Sequence, residues 1–230
     1  YAQIFNPDGD TTGFGGNFKV NDDTTDFPKY DPAVDGTPNS EFVIVWEDGR
    51  NSNETELYAQ LFNSDGDTVG SNFMINEFQG TTEEGFPEVS MNDDYFEVTW
   101  LTEEPQHSIF KRRFDHSGNP IEGEKVVNDV HGVYDCYSSA IDMNTGGNCV
   151  VAWRSERYPS GVYIQRLDAD GNKLGPNKIA LQPSQYRPDV SVAGNGNFIV
   201  VGDRQNVQYQ GFYANGDTMY SYREANDSAG

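Results

Sequence analysis

Carboxylates at alternate positions around a glycine are the most chemically suggestive pattern in this chain. Asp8-Gly9-Asp10, Asp65-Gly66-Asp67 and Asp168-Ala169-Asp170-Gly171-Asn172 each set hard oxygens two residues apart on a tight turn. That spacing matches the opening ligands of a calcium loop, where the first, third and fifth residues face one ion. The bidentate Glu that completes such a loop is absent, and only Asp168, Asp170 and Asn172 supply all three early ligands. The other reading is a hairpin turn whose Asp and Asn side chains bond their own backbone. Calcium is the one cofactor these residues suggest, and nothing in the chain requires another.

A second pattern is Asp followed by a hydroxyl residue: Asp10-Thr11-Thr12, Asp23-Thr24-Thr25, Asp67-Thr68-Val69, Asp217-Thr218-Met219 and Asp227-Ser228-Ala229. It is similar to a bacterial O-glycosylation acceptor, which makes Thr11, Thr24, Thr68, Thr218 and Ser228 candidate modification sites. Thr opening a strand after a turn explains the same residues. Asn53-Glu54-Thr55 and Asn226-Asp227-Ser228 are Asn-type acceptors, a pattern common by chance. A third group follows the recurring Trp: Glu47-Asp48-Gly49-Arg50, Thr102-Glu103-Glu104, Ser155-Glu156-Arg157 and Asp203-Arg204. Such loops could bind sugar hydroxyls or pair carboxylates for glycoside hydrolysis. They also read as solvated loop charge, and no copy stands out.

His107, His116 and His131 have no metal spacing and no nucleophile nearby, so they read as loop residues. Cys149 takes the place held by Phe42, Phe96 and Phe198 in other copies, and Cys136 lies upstream of it. The two form a disulfide or stay as buried thiols; the spacing admits both.

The elements that must carry these groups repeat. Tyr58–Asn76, YAQLFNSDGDTVGSNFMIN, is nearly copied by Tyr1–Asn21, with weaker copies from Phe110, Tyr163 and Tyr209. Turn glycines Gly9, Gly66, Gly118, Gly171 and Gly216 recur every 45–57 residues, a period that signals stacked identical units. Each unit reads as four short strands, A to D, of β-branched and aromatic residues bounded by Gly, Asn, Asp and Pro. Strand A starts at Pro32, Pro87, Ser139 and Pro188; strand B is Phe42–Trp46, Phe96–Trp100, Cys149–Trp153 and Phe198–Gly202. Strand C is Leu57–Phe62, Ile109–Phe114, Val162–Leu167 and Val207–Phe212. Strand D is Asn72–Ile75, Glu124–Val127, Lys178-Ile179 and Thr218–Tyr220.

Strand B is apolar at nearly every position, which requires burial on both faces. The expected fold is an all-β propeller, or a segment of one, of four-stranded antiparallel blades. Trp46, Trp100 and Trp153 are expected to pack between blades, while the fourth unit has Gly202 there. The reading is one repeat domain over 1–230: a half-blade at 1–21, repeats near 22–76, 77–128, 129–180 and 181–222, and a short tail at 223–230. No helical window is evident, and no apolar run reaches the ~20 residues of a membrane span.

The net charge of −22, from 37 acidic and 15 basic residues, opposes nucleic-acid binding and anionic membrane surfaces. Aromatics at 13% argue for a folded chain despite that charge.

The run Tyr163-Ile164-Gln165-Arg166-Leu167-Asp168-Ala169-Asp170-Gly171-Asn172-Lys173-Leu174-Gly175 carries a resemblance. So do the Val-Asn or Ile-Asn pairs at Val20-Asn21, Ile75-Asn76 and Val127-Asn128, and the Pro-x-Val and FVIVW strands. Together they resemble a repeat of large secreted bacterial proteins, QRFDADGNxxGxxFxVN…PxVAxxxxGxFVVxW. The resemblance spans the whole chain and implies multi-bladed, propeller-like cell-surface or adhesin-type modules. The fourth unit departs from it in lacking the VN pair and the Trp.

The phase of the repeat is unusual. Strands C–D are followed by four A–B–C–D units, or 18 strands and four and a half blades. The lone half-blade needs an A–B pair from a longer propeller or from another subunit, since an exposed edge strand is a liability. These features favour a non-enzymatic, extracellular structural or adhesive module, self-assembling into a layer or filament. The alternatives are a carbohydrate-binding propeller, using exposed tyrosines such as Tyr158, and a glycoside hydrolase using loop carboxylates such as Glu103.

Overall fold

The computed structural model describes residues 1–11, 15–50, 55–77, 84–102, 107–129, 135–182, 187–203 and 206–225. Asn53, Glu103, Glu104, His131, Arg204, Asn226 and Ser228 lie outside them. The strands form four sheets of four, each antiparallel and in chain order from one edge to the other. Blade I holds β1 (Lys29–Gly36), β2 (Phe42–Asp48), β3 (Glu56–Phe62) and β4 (Thr68–Met74). Blade II holds β5 (Glu84–Met91), β6 (Phe96–Thr102), β7 (Ser108–Phe114) and β8 (Lys125–Val126). Blade III holds β9 (Cys136–Met143), β10 (Cys149–Ser155), β11 (Gly161–Leu167) and β12 (Lys178–Leu181). Blade IV holds β13 (Asp189–Val192), β14 (Phe198–Asp203), β15 (Val207–Phe212) and β16 (Arg223–Glu224). The first strand of each sheet packs on the first strand of the next: β1 on β5, β5 on β9 and β9 on β13. These inner strands surround an axis, and the architecture is a β-propeller of four-stranded blades.

Alternation along each second strand explains the stacking. Val43 and Val45 face blade II, where they meet Val89, Phe96, Val98 and Trp100. Leu101 and Ile109 turn the other way, onto Cys149, Val151, Trp153 and Tyr163 of blade III. Val150, Ala152 and Ile164 then meet Val190, Phe198, Val200 and Phe212 of blade IV. A strand between two such interfaces must be apolar on both faces, so an ordinary polar-apolar alternation is missing. Each Trp faces the preceding blade and stacks on the neighbouring third strand: Trp46 on Tyr58, Trp100 on Phe110 and Trp153 on Tyr163, at 6.1–6.4 Å between rings. In the fourth blade the equivalent Gly202 is buried without such a ring.

Among the described residues before Lys29, none belongs to a strand of the four sheets. Ala2 and Phe18 pair as an antiparallel bridge, and Ala2, Phe18 and Val20 cover Ile44, Trp46, Tyr58 and Phe62 of blade I. One expectation changes here. The last strand of blade IV is Arg223–Glu224 rather than Thr218–Tyr220, because only Thr218 bridges back to Phe212 and the chain pairs with β15 again further on. Cys136 and Cys149 form no disulfide with each other and are buried thiols, the second of the two readings the spacing admits. They lie at opposite ends of the β9–β10 pair, Cys136 opposite Ser155 and Cys149 opposite Met143.

Candidate active site in the axial channel

The turns that opened the sequence reading are closed on themselves. Asp168 Oδ1 accepts the backbone N–H of Asp170 at 3.0 Å and of Asn172 at 2.8 Å, and Oδ2 accepts Asn172 Nδ2. Asn63 does the same for Asp65 and Asp67, and Asn6 for Asp8 and Asp10. Such bonds hold Asp168 below its ordinary carboxylate range, the Asn172 N–H first among them. Among the described residues no group of three or more His, Cys, Asp or Glu is arranged around a metal position. Thr24, Thr68 and Thr218 are exposed and Thr11 is half-buried.

The loops after the Trp do not gather acids. Asp48 is wholly buried and accepts Trp46 Nε1 at 2.8 Å and Arg50 Nη2 at 2.7 Å. Burial raises its proton affinity, but the Arg50 and Trp46 bonds together hold the carboxyl below its usual range. Glu156 pairs with Arg154 at the surface, and Asp203 accepts the Arg187 N–H. Tyr158 stands out from this rim, 91% exposed. His116 bonds Glu41 and the Asn92 carbonyl, and His107 approaches Asp135, both as inter-loop contacts.

The acids that do converge lie on the inner strands. Asp31 on β1 and Asp189 at the start of β13 both act on Glu88 of β5. Glu88 is pushed up from 4.5 to about 7, first by burial, then by the negative charge of Asp189 and then by that of Asp31. Its carboxyl keeps an open face, yet the surrounding blades displace most of the water that would stabilise its charge.

The backbone that presents this cluster is bent. In β1 the register slips between Tyr30 and Ala33, in β5 between Gly85 and Glu88, and in β9 opposite Trp153 and Arg154. The extra residue in each bulge has a positive φ without being Gly: Asp31 at 43°, Phe86 at 53° and Ser138 at 38°. Bulges re-aim side chains beside active sites, and left-handed backbone at a bulky residue persists only where the surroundings enforce it. At Phe86 the enforcing group is Glu47, whose buried Oε1 accepts the Phe86 N–H at 2.7 Å. Gly85 permits that approach, since a Cβ there would stand 2.9 Å from Glu47 Oε1. Tyr30 and Phe86, next to or near the acids in sequence, each expose about half of their surface.

The sequence carries one signal for this site. The middle residue of the Pro-x-Val position is Ala33, Glu88, Ala140 and Asp189 in the four units. Two acids against two alanines break the repeat symmetry at the innermost strand.

No family model matches the chain, and no curated protein matches it. Solved structures do. An α-L-arabinanase of Penicillium chrysogenum complexed with arabinobiose aligns with TM-score 0.56 and 12% identity over 85% of this chain and 64% of that one. An endo-arabinase of Bacteroides thetaiotaomicron aligns with TM-score 0.52 and 12% identity, covering 86% and 81%. Zg3597, a family 117 glycoside hydrolase from the marine bacterium Zobellia galactanivorans, aligns with TM-score 0.51 and 8% identity, covering 87% and 69%. This chain shares their fold. It spans just under two thirds of the Penicillium enzyme.

The expectation of a non-enzymatic adhesive module is corrected by these findings. It rested on repeats with no symmetry-breaking site. The three solved structures named above are carbohydrate-cleaving enzymes, and the acids on the inner strands break the repeat symmetry.

Proposed function

We propose that the chain forms the propeller of a glycoside hydrolase, cleaving a glycosidic bond over the axial acids. The feature that carries this reading is Glu88, placed on a bulged inner strand where burial and the charges of Asp189 and Asp31 push its carboxyl up to about 7. Glycoside hydrolysis needs such a division: one protonated acid to donate to the leaving oxygen and one ionised carboxylate to activate water or attack carbon. Glu88 is the proton donor. Burial first, and then the charge of Asp189, keeps it protonated. Asp31, exposed at the β1 bulge, is the base. Tyr30 and Phe86 offer flat apolar faces to a sugar ring at the mouth. The likeness to arabinan-cleaving enzymes supports a pentose-containing polysaccharide as substrate, and a polymer of that size supports an extracellular location.

The test is release of new reducing ends from a panel of arabinans and arabinoxylans, with Glu88→Gln as the paired control. The expected result is cleavage of at least one polymer, reduced about 100-fold or more in the variant. An inert wild-type chain, or equal rates in the two proteins, would overturn the reading.

A further inference from the structure

The ring of blades has one open slot. β1, β5, β9 and β13 pack in succession, whereas no comparable packing joins β13 to β1. The outer part of the slot is already occupied. Ala2, Phe18, Val20 and Asp22 sit against blade I as the outer strands of one blade sit against the next. Asn72 Nδ2 donates to the Val20 carbonyl at 3.2 Å, and the Asn72 N–H donates to Asp22 Oδ2 at 3.0 Å. Between blades II and III, Asn177 Nδ2 donates to the Val127 carbonyl at 3.3 Å and the Asn177 N–H to Asp129 Oδ2 at 2.7 Å. Val20-Asn21-Asp22 therefore holds the register of Val127-Asn128-Asp129.

The inner part of the slot is bare. On blade I, Val34 lies opposite Ile44 on the face turned to the slot and is 64% exposed. A cavity of about 160 Å³ opens there between Tyr1, Val20, Tyr30 and Trp46. Tyr1 is 90% exposed. On blade IV, Ile199 and Val201 turn away from the blade III interface, alongside Ser191 and Tyr209. Between closed neighbours an inner-strand ladder is seen. The Met91 N–H donates to Asp35 Oδ2 at 2.8 Å, the Met143 N–H to Ser90 Oγ at 3.1 Å, and the Val192 N–H to Asp142 Oδ2 at 2.6 Å. Ser191 stands at the next acceptor position, facing the slot.

We propose that this slot is a docking site for one two-stranded β-hairpin of the repeat's own A–B type, completing a fifth blade around residues 1–22. The occupant is specified by its surroundings. Its inner strand donates an N–H to Ser191, and its second strand pairs with Tyr1–Phe5. The apolar side chains of that second strand cover Ile199 and Val201 on one face and Val34 and Ile44 on the other. An aromatic residue at its end stacks on Tyr1, as Trp100 does on Phe110. Adding a strand to an exposed edge is an established recognition mode.

The probe is a fluorescein-labelled synthetic peptide copying residues 84–102, added to the 230-residue chain. Anisotropy is followed together with amide exchange of the protein. The expected result is saturable one-to-one binding that slows exchange at Tyr1–Phe5 and Ser191–Val201. Val201→Lys weakens it tenfold or more, and Thr68→Lys, on the outer rim, leaves it unchanged. A peptide with Trp100→Ser and Val98→Ser binds at least tenfold more weakly. Absence of binding to a monomeric chain overturns the proposal. So does self-association of the chain that protects the same residues, which would assign the slot to a second copy.

Discussion

Glu88 owes its raised proton affinity to where it sits rather than to any direct partner. Burial among the inner strands raises the cost of its charge, and Asp189 and Asp31 add repulsion. The direction of the linked stability change follows. An unfolded chain releases this proton near 4.5, the folded chain near 7, so the folded state holds more protons between those values. Stability therefore falls as pH rises through that window. Glu88→Gln removes the effect. Thermal unfolding should show the variant level with the wild type at pH 4 and a few degrees more stable at pH 8. An offset independent of pH would contradict the assignment. This residue was legible in outline: Pro87-Glu88-Val89 and Pro188-Asp189-Val190 put acids where Ala33 and Ala140 stand in sister units. Asp31 was not legible. Its role depends on a bulge that shifts it off the strand's normal alternation, and a bulge is set by the strands around it, not by the local sequence.

At the scale of elements, blades are joined by apolar faces and by buried charge. The four-strand units were readable from apolar runs and turn residues, because a strand covered on both faces can carry little else. The short outer strand of blade IV was not, since two residues of pairing leave almost no pattern. Glu97 is fully buried between blades II and III and binds Lys111 at 3.0 Å and Arg113 at 2.7 Å. Arg113 in turn donates to the Ala169 carbonyl on the blade III turn. Removing the acid leaves two cations without their shared counter-charge. Glu97→Ala should cost about 3–5 kcal/mol in denaturant unfolding, and Glu97→Gln less. A loss below about 1 kcal/mol would show that the network relaxes into water. Gly85→Ala acts on the site through the β5 bulge. The added methyl displaces Glu47 Oε1 from the Phe86 N–H and loosens the strand that carries Glu88. Cleavage should fall about tenfold while circular dichroism stays unchanged; full activity would remove the bulge from the account.

The whole molecule combines a negative net charge of 22 with a ring that brings three of those acids, Asp31, Glu88 and Asp189, onto its inner strands. Self-repulsion of that size weakens the compact state, and salt screens it, with a Debye length of about 8 Å at 0.15 M. The unfolding temperature should rise between about 10 mM and 150 mM sodium chloride; a fall would show that attractive ion pairs dominate instead. The same crowding of charge at the axis is the basis for the proposed chemistry. It is measured most directly by carboxyl carbon-13 NMR titration of Glu88 in the wild type and in Asp31→Asn with Asp189→Asn. The account predicts a transition near 7 in the wild type that moves toward 4.5 when both neighbours are neutralised. A Glu88 that titrates near 4.5 in both proteins would contradict it.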